Sequence, residues 1–534
     1  MTTQLKSICP VCSKNCENTQ ENIVGKLKIT TYSCGHVRSK KIPQTDEIIK
    51  ALRNIKSIDN RTPYNYQIDG AGFAIKSGYR CLIADEMGVG KTWQSFLAAK
   101  ADEENNCPIL IICKPGLKIQ MQKELYRLLQ WPSQIIDNEK SFIIPNLKAY
   151  IIGYDTLAYS VFVNKKGKVI KRGIENLDDF VGRISPRLII LDECQQIKNT
   201  GAERTKAVRS VAKKIDRVIA LSGTPITNNG SEYFPILNIL RPDKVNNKEH
   251  FIMRWFDTYF NGYAQKVGGI KNIPAWQDFT KDFIIRRTRA EVLPDLPEIT
   301  RNYRFEELGA KTQELYNQIF TQFQDAYLYG DKSNKLSYES NILGYLNKMR
   351  HVTGIAKIPG VVDFAEEFLT ETDRKIVIFN HHIDIAKEVV ERIEGKGFGK
   401  NLVYAPSPVD NNLVDLFTNN PEKRILIGST LALGEGFNLQ CASDCIIMER
   451  EWTPAKEEQA EGRFPRPGQK ESKITATYFV AVGTIDEFFA DLVEQKRSYV
   501  ASTLDGKEIQ WNEASLIKEL AEILATKGAK KWSF

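Results

Sequence analysis

Short aliphatic runs that end abruptly in small or charged residues set the rhythm of this chain. They lie in Cys81–Ala84, Pro108–Pro115, Ala149–Thr156, Leu188–Gln195 and Val218–Pro225. The runs are continuously apolar rather than alternating, which marks strands buried on both faces, as in a parallel sheet covered by helices. Segments such as Trp93–Lys100 and Leu117–Leu129 lie between them and read as helices. This alternation predicts a parallel, doubly wound α/β sheet. Asn164–Lys168 is basic and contains glycine, and it reads as an exposed hairpin tip. Residues 305–350 read as helices, and Leu315, Tyr316, Ile319, Phe320 and Phe323 recur there at helical spacing, a stripe that predicts core packing. Ile425–Leu439 is a strand running into a glycine-rich loop, and Ile446–Trp452 reads as another strand end.

Polar residues gather where the aliphatic runs stop, which is where ligands bind in open α/β sheets. The first run leads into Asp85-Glu86-Met87-Gly88-Val89-Gly90-Lys91-Thr92 and then a helical stretch. Strand, glycine-rich loop and helix form the context of a phosphate-binding loop. Backbone N–H groups converge on the anion, and the helix adds the positive end of its dipole. Lys91 would reach the β- and γ-phosphates, and the Thr92 hydroxyl would hold Mg²⁺. Asp85 stands where that loop usually has its first glycine. The fourth run delivers Asp192 and Glu193 to a strand end. Asp192 would hold Mg²⁺ and Glu193 would polarise an attacking water. Gln67, shortly upstream of the loop, can read adenine with one amide donor and one acceptor.

At 534 residues the chain is long enough for two or more domains. Its apolar and charged fractions, 42% and 26%, are ordinary for a globular protein. No apolar run is long enough to cross a bilayer, and no signal peptide is evident, so no membrane partner is expected. The net charge of +8 fits nucleic-acid binding without demanding it. Ten cysteines are unevenly spread. Six sit in or beside apolar runs, the usage of a reducing compartment. The others crowd the start, where Cys9-Pro10-Val11-Cys12 precedes Cys34-Gly35-His36. Cys9, Cys12, Cys34 and His36 predict a tetrahedral Zn²⁺ site that would stand in for a core in so short a segment. Cys16 is either a spare thiol or a substitute ligand.

The ordered motifs resemble those of the Swi/Snf-type ATPases, superfamily 2 helicase-like motors that translocate on duplex DNA. Asp85–Thr92, Asp192–Asn199 and Ser222–Asn229 resemble motifs I, II and III. Phe283–Thr288 and Glu291–Pro297 resemble the arginine-rich block between that family's two lobes. Thr353–Pro359 and Lys375–His382 are similar to its annealing-helicase branch; His381 and His382 have no partner ligands at zinc spacing and are not read as a metal site. Ile425–Leu439 resembles motif V, and Gln459–Gln469 resembles motif VI. The resemblance spans roughly residues 60–500. Cys194-Gln195 replaces the family's usual Ala-His, whose histidine couples ATP to DNA, while Pro465 and Pro467 replace its usual His and Ile.

The resemblance implies two RecA-like parallel-sheet lobes with helical insertions and a small N-terminal zinc module. The expected divisions are a zinc module over 1–45, a first lobe over 46–298, a helical insertion or linker over 299–360, a second lobe over 361–500, and a helical tail over 501–534 that is a brace or a DNA contact. Glu86, Met87, Gly88, Val89, Gly90 and, from motif V, Gly436 would join Gln67, Lys91 and Thr92 around ATP. Arg463 and Arg466 would act as arginine fingers from the second lobe. Lys114, Thr156, Lys198, Ser429 and Thr430 would touch DNA by motif position, and Trp452 fits an aromatic coupling segment on the DNA side. The implied activity is that of a DNA-dependent ATPase translocating on duplex DNA without sequence preference, in repair, fork or recombination processing. A strand-separating helicase and a remodeller of a DNA-bound protein such as RNA polymerase are the alternatives. The zinc module would target a DNA structure or a protein partner. The compact length fits a prokaryotic or viral source and a cytoplasmic setting, or a nuclear one in a eukaryote.

Overall fold

The protein is described by a computed structural model over residues 5–8, 15–24, 27–32, 37–41, 45–163, 169–223, 230–260, 265–331, 333, 335–434, 437–452, 454–491, 517 and 520–525. The first sheet has seven parallel strands in the order Ile284–Ile285, Arg80–Ile83, Arg217–Leu221, Leu188–Leu191, Ile109–Cys113, Ala149–Gly153 and Ser133–Ile136. The aliphatic runs supply its interior. Alternate residues of one strand serve opposite faces. Leu82, Leu110 and Ile112 pack on one side with Phe180, Tyr233 and Trp276; Cys81, Ile83 and Ile111 pack on the other with Phe96, Leu97 and Leu125. Both sides are helix-covered, so polar residues have no place within these strands and are confined to their ends. Leu191 lies opposite Ile112 and Ala220, which brings Asp192 level with the ends of the neighbouring strands. The chain returns to insert Leu188–Leu191 and Arg217–Leu221 between its first two long strands, so a topological switch lies beside the phosphate loop.

The second sheet has six parallel strands in the order Ile299–Glu306, Ile474–Ala481, Asp444–Ile447, Ile376–Asn380, Ile425–Ser429 and Leu402–Ala405. It too is packed on both faces, with Ile376 and Ile378 on one side and Val377, Phe379, Phe417 and Phe464 on the other. Together these are the two RecA-like parallel-sheet lobes expected.

Two expected divisions differ from the observed elements. Ile299–Glu306 is an edge strand of the second sheet and not part of a helical linker. Its polar alternation buries one face in part, which is all an edge position asks. The helix Lys335–Glu371 runs through the expected limit at 360 with Pro359 inside it. That helix pairs with Ala310–Tyr329, and between them Tyr316, Phe323, Leu346 and Met349 form a core that also takes Trp452, Phe489, Leu520 and Leu524. Of the predicted stripe, Tyr316 and Phe323 are buried, Ile319 and Phe320 pack alongside, and Leu315 is exposed. Helical residues 520–525 therefore brace the second lobe.

At the N-terminus, Leu5–Ile8, Asn15–Val24, Leu27–Tyr32 and Val37–Lys41 form an antiparallel four-stranded sheet. Cys9, Cys12, Cys34 and His36 lie outside the described residues, as do the hairpin-tip residues 164–168. The strands Ser160–Val163 and Val169–Arg172 flanking that tip pair antiparallel. Among the described residues, no helix is long and apolar enough to cross a membrane.

Candidate active site

The strand Arg80–Ile83 ends in a loop that turns into the helix Lys91–Ala101. Gly88 and Gly90 hold φ of 88° and 78°, the left-handed region that glycine enters without steric cost. Lys91 folds back over this loop, its Nζ donating to the carbonyls of Asp85 at 2.8 Å and Glu86 at 3.0 Å. Desolvation pulls its ammonium below the ordinary lysine range, while Glu193, Asp85 and Asp192 push the other way.

Asp85 is fully buried. Its carboxylate accepts from Arg287 at N (3.0 Å), Nε (3.2 Å) and Nη2 (2.5 Å), and from Gln94 Nε2 (2.9 Å). The glycine usual at this position has thus given way to an anchor. Arg286 donates to the Ala84 carbonyl, and the backbone N–H of Arg289 to the Glu86 carboxylate. Backbone bonds from Leu82, Ala84 and Glu86 to Phe283, Ile285 and Arg287 complete the seam. The arginine-rich block is therefore an edge strand clasping the start of the phosphate loop. Glu86 is committed to Arg289, Val89 is buried, and Met87 fills the space over Gly223, where an added Cβ would come within 2.4 Å of Met87 Cγ. Gln67 accepts from the Tyr64 N–H at 3.0 Å and donates to the Val89 carbonyl at 3.4 Å, so its amide braces the loop while each end keeps a second hydrogen-bonding position.

Asp192 and Glu193 follow the strand Leu188–Leu191. The buried Tyr154 hydroxyl donates to the Asp192 carbonyl at 2.8 Å. Glu193 holds φ of 50°, a left-handed conformation that a non-glycine residue adopts at a cost of roughly 1 kcal/mol or more. Its Oε2 accepts from Gln195 Nε2 at 2.6 Å, and Gln195 Oε1 accepts from the Ser222 hydroxyl at 2.7 Å. One amide thus joins the acid pair to the Ser222-Gly223 turn, with a donor on one side and an acceptor on the other. Burial and the adjacent Glu193 raise the Asp192 carboxyl above its usual range, against the pull of Lys91, Lys114 and Arg463.

The second lobe faces this surface. Arg463 Nε donates to the Gly434 carbonyl at 2.7 Å; Arg466 Nε donates to the Gly462 carbonyl at 3.2 Å and its Nη1 to Asn438 Oδ1. Burial and the like charge of Arg463 push the Arg466 guanidinium below its ordinary range. The lobes touch here: a Cβ on Gly88 would lie 3.5 Å from the Gly462 carbonyl and 3.8 Å from Arg466 Cγ. Between them is a cavity of about 650 Å³, walled by Gln67, Lys91, Thr92, Asp192 and Glu193 on one side and by Arg463 and Arg466 on the other.

The remaining sequence-predicted residues divide between this cavity and other places. Lys114 lines this same cavity. Lys198 pairs with Glu232 at 3.3 Å. Thr156 and Ser429 are half-buried near the C-terminal ends of their strands. Thr430 is buried, and its hydroxyl donates to the Asn380 carbonyl at 3.3 Å. Trp452 is only 4% exposed, edge-on to Phe489 with Arg350 stacked 4.5 Å from its ring, so it serves the core and not a DNA surface. For Thr430 and Trp452 alike the side chain points into packed protein, which rules out DNA contact by that group here. Gly436 lies outside the described residues. His382 pairs with Glu449 and His381 with Glu451; among the described residues no three or more histidine, cysteine, aspartate or glutamate side chains gather to hold a metal by themselves. The Asp85–Arg287 anchor had no readable signal as a pair, because its members are 202 positions apart, and the Gln195 bridge was hidden on its Ser222 side, 27 positions away.

A phosphate loop and acid pair on one parallel-sheet lobe, facing paired arginines on another, define a two-lobed P-loop protein of the RecA-like class. Residues 66–354 match the SNF2-related domain and residues 360–468 the helicase conserved C-terminal domain. The chain belongs to the SNF2-related family, and ATP and Mg²⁺ fit a site of that family. It is 27% identical over 458 residues to the DNA annealing helicase and endonuclease ZRANB3 of Mus musculus, covering 83% of this chain and 41% of that protein. It is 27% identical over 477 residues to the SWI/SNF-related matrix-associated actin-dependent regulator of chromatin subfamily A-like protein 1 homolog of Caenorhabditis elegans, covering 85% of this chain and 64% of that one. The chain thus spans about four-tenths of the length of the ZRANB3 proteins it matches. Among solved structures, the Sulfolobus solfataricus SWI2/SNF2 ATPase core in complex with dsDNA is 22% identical and covers 90% of this chain and 99% of that one, at a TM-score of 0.39, an overlap too loose to carry an inference.

Proposed function

We propose that the protein is a DNA-dependent ATPase that translocates on double-stranded DNA. The observation that carries this reading is the facing of Lys91, Asp192 and Glu193 by Arg463 and Arg466 across one cavity between two lobes. ATP phosphates would take over the Lys91 ammonium from the Asp85 and Glu86 carbonyls and accept from the N–H groups of the Gly88–Lys91 turn. The Thr92 hydroxyl and the Asp192 carboxylate are hard oxygen donors suited to Mg²⁺. Once bound there, Mg²⁺ would offset charge developing on the β- and γ-phosphates. Glu193, held by Gln195, would orient the attacking water. Arg463 and Arg466 would stabilise the transferring phosphoryl group, so hydrolysis needs closed lobes. If each lobe also grips DNA, closing and reopening become a step along it.

The DNA grip would be on phosphates, with Thr156 and Ser429 near strand ends of the two lobes and Lys198 beyond the acid pair as contacts. Binding would then weaken with salt and ignore base sequence. The test is the ATPase rate with duplex, single-stranded and forked DNA and with RNA. Duplex DNA should stimulate most, and a rate unmoved by any DNA would refute the reading. The N-terminal segment would bind one Zn²⁺ through Cys9, Cys12, Cys34 and His36. Supporting this, the strands ending at Ile8 and Tyr32 both pair with Asn15–Val24, so the two cysteine-bearing segments leave one sheet. Elemental analysis of the purified chain showing no zinc would end that assignment.

A further inference from the structure

The helix Pro454–Glu461 leads directly into the loop bearing Arg463 and Arg466. It is pinned from beneath by two fully buried carboxylates one helical turn apart, Glu457 and Glu461. Glu457 accepts from Arg450 Nε at 3.1 Å and Nη2 at 2.8 Å. Glu461 accepts from Arg301 Nε at 2.9 Å and Nη2 at 2.5 Å, and from the Tyr478 hydroxyl at 2.6 Å. The Arg450 guanidinium sits 4.6 Å from the Tyr478 ring, which joins the two pairs into one block. Arg301 lies in none of the quoted motifs, between the block ending at Pro297 and the one starting at Thr353. It lies on the edge strand Ile299–Glu306, the next strand along the chain after the segment that clasps the phosphate loop through Arg287 and Asp85. One stretch of chain therefore holds the phosphate loop at Arg287 and the arginine-bearing helix at Arg301.

We infer that Arg301 is a positioning residue for hydrolysis, which sets Arg463 and Arg466 against the phosphate loop through the buried carboxylate of Glu461. Three points carry it. The contact is a two-pronged fork, which fixes angle as well as distance. Glu461 is two residues before Arg463, so little backbone slack separates the anchor from the reacting side. Finally, the arginine loop and the phosphate loop are in close contact, since even a Cβ added at Gly88 would lie 3.5 Å from the Gly462 carbonyl. A small shift of the Glu461 anchor is therefore felt at the cleft.

The inference rests on the ATPase reading above, and the test separates the two. Wild-type chain lacking DNA-stimulated turnover would sink that reading itself. Given turnover, Arg301→Gln should lower kcat by about 10- to 100-fold, the scale of a misplacement near 1 Å, with KM for ATP and nucleotide affinity within about twofold. Arg301→Lys, which keeps the ion pair and loses the fork, should recover part of that loss. In an Arg466→Ala background, followed by single-turnover hydrolysis, Arg301→Gln should cost almost nothing more, because residues that act as a unit are not additive. Wild-type kcat in Arg301→Gln, or a loss that persists in full in the Arg466→Ala background, would overturn the inference. If Arg301→Gln does not fold, the same pair of readings is made on Arg301→Lys.

Discussion

Replacing Asp85 by alanine tests whether the phosphate loop is held in place by a buried ion pair. The carboxylate is fully buried and accepts three bonds from Arg287 and one from Gln94. Alanine strands the guanidinium, whose side chain is 18% exposed and so has little access to water. Removing one partner of a buried pair costs about 3–5 kcal/mol, chiefly for the charge left behind. A domain of this size loses about 2–4 °C per kcal/mol, so the first-lobe unfolding transition should fall by roughly 6–20 °C. Arg287→Ala should cost a similar amount, because it leaves the carboxylate buried without its main partner. The double variant should cost far less than the sum, because no isolated charge remains. Calorimetry of the four proteins reads all three quantities. Single variants that each melt within about 2 °C of wild type, or a strictly additive double variant, would refute the anchor; the 2 °C limit corresponds to about 1 kcal/mol or less.

Lys91→Ala and Arg466→Ala should each nearly abolish ATP turnover, and Arg466→Ala should still bind nucleotide; steady-state hydrolysis with equilibrium binding checks both, and near-normal turnover in either would show the site misassigned. Gln195→Ala breaks the link between Glu193 and Ser222, so it should cut stimulation by duplex DNA more deeply than basal hydrolysis. Undiminished stimulation would remove Gln195 from the coupling path. Trp452→Ala opens a cavity beneath Arg350 and Phe489 and should cost about 3–5 kcal/mol of stability. The DNA affinity of its folded fraction should not change, and a selective loss of affinity would return Trp452 to the DNA surface.

What could be read in the sequence was whatever lies in consecutive residues. Unbroken apolar runs disclosed the sheet interiors, and the polar tips of those runs disclosed Lys91, Thr92, Asp192 and Glu193, because a strand buried on both faces has nowhere else to put them. Arg463 and Arg466 were legible by their order after the other motifs. The anchors were not. Asp85 and Arg287 are 202 positions apart and Arg301 and Glu461 are 160 apart, so neither pairing leaves a local pattern. Thr430 and Trp452 look like surface candidates by motif position, but which way a side chain faces depends on what packs against it, here Asn380 for one and Arg350 with Phe489 for the other. The strand Ile299–Glu306 leaves little trace because a sheet edge tolerates a half-polar sequence that carries a weak hydrophobic signal.

The amide at position 195 has a consequence for how the acid pair is held as acidity changes. An imidazole in that place would gain or lose a proton near neutrality and could reverse its hydrogen-bonding sense. A primary amide exchanges none, and always offers N–H groups on one side and an oxygen on the other. In the thread from Glu193 through Gln195 to Ser222 the middle member therefore takes up and gives off no proton as solution passes from mildly acidic to mildly alkaline.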